Sequence, residues 1–174
     1  MEKNCKEELE NLGADSTCIE TFEQLAYRNK KHEQSCDCVI RELRESDYDE
    51  IIIMLNRAFS LALTRYDKEK FEKFLQSGYS FVARNRDEII GVVLGYVIPD
   101  LWGDAIYVDS LVVGETVRGT GVGYRLLSYL SEYALSKDIH EFRLQTDKNL
   151  EAYKIYKHWG FNENSLVQMN KFFL

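Results

Sequence analysis

The segment VRGTGVGYRLL, residues 117–127, packs three glycines into five positions and then turns into a leucine-rich run. Glycine inside a helix costs about 1 kcal/mol relative to alanine. Three of them at a helix start need a reason, and the flanking residues supply one. Upstream, DAIYVDSLVV (104–113) reads as a strand. Downstream, Leu126, Leu127, Leu130 and Ala134 fall on one helical stripe. A strand that feeds a glycine turn and then a helix makes an anion site. The first N–H groups of the helix have no intrahelical acceptor, and the helix dipole adds about half a positive charge there. Glycines let a phosphate approach those groups. No GK[ST] follows, so the segment is not a P-loop. Tyr124 stands where the dinucleotide fingerprint needs glycine. A tight strand-to-helix connection that holds no ligand is the bland reading of the same residues.

The rest of the chain arranges itself around that unit. CVIREL (38–43) reads as a short strand. SDYDEIIIMLNRAFSLAL follows as a helix, with Ser46 or Asp47 as N-cap. DKEKFEKFLQSG is a second helix: Phe71, Phe74 and Leu75 share a face and Gly78 stops it. YSFVARN and EIIGVVLGYVI read as two strands of a hairpin joined through RNRDE. IHEFRLQT (139–146) is a further strand, NLEAYKIYKHWG (149–160) a helix ended by Gly160, and SLVQMNKFFL a closing strand. The order β α α β β β α β α β predicts an α/β architecture: a mixed, mostly antiparallel central sheet flanked by helices.

Residues 1–38 differ in character. They carry nine acids against five bases and show no strand-like alternation. Thr17 and Glu20 stand at capping-box spacing before Ile19, Phe22, Leu25 and Ala26, which predicts a helix over about 17–32. The expected organisation is an N-terminal extension, 1–38, partly helical, followed by one domain, 39–174. A chain of 174 residues, 45% hydrophobic, is long enough for a real core.

Charge and composition narrow the partners. The net charge is −7 and the pI about 5.1, which disfavours nucleic-acid binding and suits a cationic partner. No apolar core follows Met1, and the longest apolar runs are too short to span a bilayer. The expectation is a cytoplasmic protein without a membrane partner. Its cysteines, Cys5, Cys18, Cys36 and Cys38, are then expected to be reduced. His32, Cys36 and Cys38 do not match a structural-zinc spacing, so no metal is expected.

Two stretches carry a family likeness. RGTGVG (118–123) matches the R/Q-x-x-G-x-G/A signature of the GNAT superfamily of N-acetyltransferases. NLEAYKIYKHWGF (149–161) resembles that superfamily's second motif, with Asn149, Ala152, Ile155, Tyr156, Gly160 and Phe161 on motif positions. YVDSLVV (107–113) resembles the strand before the glycine turn, and the likeness covers about residues 39–174. It implies a GNAT-like acyl-CoA N-acyltransferase fold, with acetyl-CoA as cosubstrate and an amine as acceptor. By that resemblance, backbone N–H groups of Arg118, Gly119, Thr120, Gly121, Val122, Gly123 and Tyr124 hold the pyrophosphate. Leu111, Val112 and Val113 pair with the pantetheine arm, and Asn149 hydrogen-bonds it.

The resemblance also implies two catalytic residues. Tyr156 would protonate the departing thiolate as general acid. Periodicity alone favours an aromatic core residue beside Tyr153 and Trp159. Asp109 interrupts an apolar strand, where a carboxylate is costly unless paired or solvated. Strand period places it with Tyr107, Leu111 and Val113 unless a bulge shifts the phase. Some family members carry a basic Glu at the matching position; Asp109 is either that base, acting through water, or an anchor for a substrate ammonium. Asp100, Asp104, Glu115 and Trp102 are weaker candidates for the amine site. His140 and His158 read as surface residues. No cysteine stands where a nucleophile would, so direct transfer in a ternary complex is expected. The expected acceptor is a small cationic amine. A protein lysine or N-terminal amine, or a non-catalytic acyl-CoA-binding module, is the alternative. Edge strands and the N-terminal helix leave a homodimer open.

Overall fold

The computed structural model describes residues 37–59, 68–101 and 103–165. They fall into two compact units, one spanning residues 24–145 and one that includes residues 146–174. The predicted helix over 17–32 and the closing strand beyond Ser165 lie outside the described residues. Among those residues, no helix is long and apolar enough to cross a membrane.

The first unit is built on five strands in sequential order: β1 (Val39–Glu42), β2 (Phe81–Asn85), β3 (Glu88–Ile98), β4 (Ala105–Val113) and β5 (Glu141–Arg143). β1 through β4 pair antiparallel, and β5 joins β4 in parallel. The sheet is therefore mixed and mostly antiparallel, as the strand order predicts. The parallel step needs a crossover. It is made by α3 (Val122–Leu135), the helix after the glycine turn. Between β1 and β2 lie α1 (Tyr48–Phe59) and α2 (Lys68–Ser77).

Each sheet face finds its cover by period-two alternation. Val82, Val92, Leu94 and Val112 form a core cluster with Ile51, Ile52, Leu55 and Phe71 from α1 and α2. The intervening residues face α3. Phe81 stacks edge-on against Tyr129 and Tyr133. A Cβ at Gly91 would lie 2.9 Å from Val122 and 3.0 Å from Leu126, so helix and sheet touch there. The leucine stripe predicted for α3 is buried throughout, with Leu126 and Leu130 at 0% exposure. Burying each contributes about 1.5–3 kcal/mol relative to leaving it in water.

Three local expectations are corrected. The strand predicted over 139–146 pairs only through Glu141–Arg143. Its ladder with β4 ends at Tyr107, two residues before a β-bulge at Asp109. Bulges commonly terminate pairing. The helix predicted over 149–160 is shorter, α4 (Glu151–His158). The Asp147 side chain accepts N–H groups from Asn149 and forms a turn ahead of it. Ser46 and Asp47, the N-cap candidates, lie instead within a 3-10 turn (Glu45–Asp47) capped at Arg44: Asp47 is buried, 2% exposed, and accepts two hydrogen bonds from Arg41 at 2.7 Å and the Arg44 N–H at 2.9 Å.

Candidate functional site

The glycine turn supplies an open helix start. After β4, a single 3-10 turn (Glu115–Val117) leads to Arg118 in extended conformation. Gly119 has φ +78° and Gly121 φ +90°, values that side-chain-bearing residues rarely adopt. The glycines are thus required first by the backbone path. Space comes second: a Cβ at Gly119 would meet nothing within 4 Å. Gly121 is the N-cap, and no side chain caps α3. Its carbonyl accepts the Arg125 N–H at 3.0 Å, so the helix is properly started while its first donors depend on something outside the ladder. Arg118 is exposed and donates from Nε to the Val113 carbonyl at 3.3 Å. Thr120 Oγ1 donates to the Val117 carbonyl at 2.7 Å. These bonds fold the turn against the end of β4.

β4 has one closed edge and one open edge. On the β3 side it pairs from Ala105 to Val113. On the other side β5 reaches only Ala105, Ile106 and Tyr107. From Val108 to Val113 that edge has no strand partner among the described residues, and it leads directly into the glycine turn. Such an edge accepts an extended ligand by added-strand pairing.

Asp109 is the bulge residue. Leu94 pairs with Ser110 and Gly95 with Val108, so Asp109 has no opposite residue. The bulge shifts the side-chain phase. Leu111 lies opposite Val93 and Val113 opposite Gly91, on the α3 face. Tyr107 lies opposite Tyr96, whose ring sits 6.3 Å from Phe74 of α2. Asp109 thus separates from Leu111 and Val113 and joins the tyrosines. The Ser110 hydroxyl donates to Asp109 Oδ2 at 2.9 Å, as adjacent bulge side chains on one side can. The carboxylate is exposed, which satisfies its need for solvent. Burial pushes the Tyr96 phenol up, and the Asp109 charge adds to it. For Tyr107 burial comes first, then Tyr96, then Asp109.

In the second unit, Tyr156 stands on α4 with its ring edge-on to Trp159 (5.9 Å) and Phe161 (5.4 Å). Burial raises its phenol above the ordinary range, so it holds its proton at neutral pH. Asn149 Nδ2 donates to Asp147 Oδ1 at 2.9 Å.

The family model for "Acetyltransferase (GNAT) family" matches residues 40–161. The chain belongs to the GNAT family. It is an N-acetyltransferase of that family, whose acyl donor is acetyl-CoA. Among curated relatives, thialysine N-epsilon-acetyltransferase of Mus musculus is 27% identical over 139 residues, covering 70% of this chain and 82% of its own. Among solved structures, an aminoglycoside acetyltransferase from an uncultured soil metagenomic sample, in complex with sisomicin, superposes with a TM-score of 0.66. It is 20% identical, over 79% of this chain and 97% of its own. Arabidopsis thaliana Naa50 in complex with the bisubstrate analogue CoA-Ac-MVNAL also reaches 0.66, at 21% identity over 76% of this chain and 88% of its own. At these identities the solved neighbours establish the fold.

The predicted site residues of this acetyltransferase fall into two groups. Leu111, Val112, Val113 and Arg118 to Tyr124 are contiguous along the open edge of β4 and the start of α3. Asn149 and Tyr156 stand together in the second unit. Tyr124 is buried, so its side chain serves the core. Val112 likewise turns its side chain into the α1 and α2 cluster, leaving its backbone at the edge. His140 is surface-placed and pairs with Asp138 at 3.0 Å, and His158 is exposed. Sequence reasoning did not single out Tyr96 or Ser110 beside Asp109, and it named Tyr107 only as a residue of the same strand face. Both strands were legible, but counting inward from Ile98 and Asp104 would have set Tyr96 opposite Ile106; the observed register begins at Ile98 and Ala105 and sets it opposite Tyr107.

Proposed function

We propose that this acetyltransferase moves the acetyl group of acetyl-CoA directly to a primary amine on a small cationic acceptor. The observation that carries the reading is the open β4 edge, Val108–Val113, running into an uncapped, glycine-started helix. That geometry suits a molecule with an extended amide-bearing arm and a diphosphate. Backbone groups of residues 118–124 take the diphosphate, with Arg118 alongside. Leu111, Val112 and Val113 pair with the arm.

Acetyl-CoA is a substrate here, and the reaction balances without a resident cofactor. The amine loses a proton to Asp109 directly or through a bridging water. Its nitrogen attacks the thioester carbonyl, whose oxygen is stabilised by an N–H near Val113. The C–S bond breaks, Tyr156 gives its proton to the thiolate, and the phenolate regains one from the attacking nitrogen, which loses its second proton as the amide forms. The buried phenol is protonated at neutral pH, as a proton donor must be. Asn149 steadies the arm by the motif resemblance.

The test is transfer by Tyr156→Phe. Loss of a general acid lowers kcat by about 10²–10⁴-fold; an unchanged kcat removes Tyr156 from the chemistry. A panel of spermidine, an aminoglycoside and short peptides reads the acceptor. Turnover of peptides alone would replace the small-amine reading. Tight CoA binding with no transfer to any amine would replace it with a non-catalytic module.

A further inference from the structure

Resting on that reading, the site around Asp109 narrows the acceptor further. Tyr96 of β3, Tyr107 of β4 and Arg143 of β5 are successive ladder partners, so their side chains form one row across the sheet. Phe74 of α2 closes one end, 6.3 Å from Tyr96. The two tyrosine rings lie 5.4 Å apart, tilted by 37°. They do not stack face to face, and Tyr96 is 38% exposed. Asp109 flanks the row and acts electrostatically on both phenols. Rings with a neighbouring carboxylate attract a cation.

The far end of the row carries Arg143, and two carboxylates already engage three of its five N–H donors. Nε and Nη2 donate to the two oxygens of Glu141 at 2.8 and 2.9 Å, and Nη2 also donates to Asp100 at 3.0 Å. Those bonds hold the guanidinium above its ordinary range. One cation against two carboxylates leaves that end net negative. A free carboxylate on the acceptor would meet a guanidinium whose charge two neighbouring anions already offset.

We propose that the row Phe74–Tyr96–Tyr107, with Asp109 and the Asp100–Arg143–Glu141 triad, selects an acceptor that carries at least two ammonium groups and no carboxylate. One ammonium lies over the rings beside Asp109, and the second reaches toward Asp100 and Glu141. Amino-acid acceptors such as lysine or S-(2-aminoethyl)cysteine are rejected through their α-carboxylate. Tyr96 is then a specificity residue of this chain.

Spermidine, lysine and S-(2-aminoethyl)cysteine are compared at saturating acetyl-CoA. The expected kcat/KM for spermidine exceeds that for either amino acid by at least about tenfold. Tyr96→Leu raises the spermidine KM by about tenfold, Tyr96→Phe by less than twofold, and neither moves the KM for acetyl-CoA. The Asp100→Asn/Glu141→Gln pair frees Arg143 and narrows the preference against lysine. Equal use of lysine and spermidine by the unmodified enzyme overturns the proposal. So does a Tyr96→Leu KM within twofold of the parent, or a Tyr96→Phe loss as large as that of Tyr96→Leu. Calorimetry of spermidine on the CoA-loaded enzyme separates this from the reaction itself. Binding that weakens in Tyr96→Leu without any transfer sustains the row and sinks the acetylation of small amines. No binding sinks the row.

Discussion

Asp47 and Asp109 are two aspartates of the same unit, and the protein treats them in opposite ways. Asp47, at the corner of β1 and α1, is buried. Arg41 grips both its oxygens at 2.7 Å, Arg44 donates a backbone N–H, and Arg84 lies 3.8 Å away. Asp109 stands exposed on a bulge with a hydroxyl and two phenols for company. A carboxylate wrapped in guanidinium and amide donors has its lone pairs committed and holds elements together. A carboxylate left toward solvent beside rings keeps its charge available to a ligand. In sequence Asp47 reads as a helix N-cap and Asp109 as an acid in an apolar run, and neither reading tells which carboxylate is buried.

The sharpest way to break this comparison is to remove the charge at the bulge. Asp109→Asn keeps the shape and the acceptor for Ser110. Acetyl transfer is expected to fall by about 10²–10⁴-fold, with acetyl-CoA affinity and melting temperature unchanged. A variant that unfolds earlier but still transfers the acetyl group would place Asp109 with the structural acids. Asp47→Asn is the mirror experiment. It leaves Arg41 without its counter-charge inside the fold, which costs about 3 kcal/mol and lowers the melting temperature by about 6–12 °C. The variant that remains folded at low temperature is expected to bind CoA as the parent does.

The contrast sharpens with pH. Burial alone would push the Asp47 carboxyl up, but the Arg41 hydrogen bonds, the Arg44 N–H and the charges of Arg41 and Arg84 outweigh it and hold it below its ordinary value. The stability it contributes is present above the unfolded carboxyl's pKa of about 3.9. It is lost as the pH falls through the lower folded value. The difference in unfolding free energy between parent and Asp47→Asn is therefore expected to be constant near neutrality and to shrink below about pH 4. A gap that persists undiminished at pH 2 would assign the effect to packing. Across the sheet, Asp109→Asn is expected to lower the phenol titrations of Tyr96 and Tyr107 toward the ordinary range. Burial remains as their main cause, so the return is partial. Tyrosine-selective NMR in alkaline solution reads this.

How much of this was visible beforehand follows from the range of the interactions. The strand, glycine turn and leucine helix are local, and their periods and turn residues specify them; Gly119 and Gly121 sit where the backbone demands them. The pairing of β2 with β3 and of β3 with β4 follows from short connections, such as the two-residue turn at Arg86 and Asp87. Ladder length does not. The stop after Tyr107 and the bulge at Asp109 depend on how β3, β4 and β5 meet, and no alternation in YVDSLVV encodes that. The fates of Asp47 and Asp109 were hidden for the same reason. Arg41 precedes Asp47 by six residues, but only the fold turns the two toward each other.

The smallest effect tests how the bulge holds its acid. Ser110 is 4% exposed and opposite Leu94, so its side chain is fixed by packing, and its hydroxyl reaches Asp109 Oδ2 at 2.9 Å. Ser110→Ala removes one donor to a charged acceptor that water can partly replace. Hydrogen bonds to charged groups contribute about 1.5–3 kcal/mol when dry and less when solvent competes. The expected fall in kcat is therefore about three- to tenfold, between the parent and Asp109→Asn, with stability changed by less than about 1 kcal/mol. In an Asp109→Asn background the same substitution should cost less than twofold, because the charge that the hydroxyl orients is gone. Losses that instead multiply in the double variant would mean that Ser110 acts independently of the acid it touches.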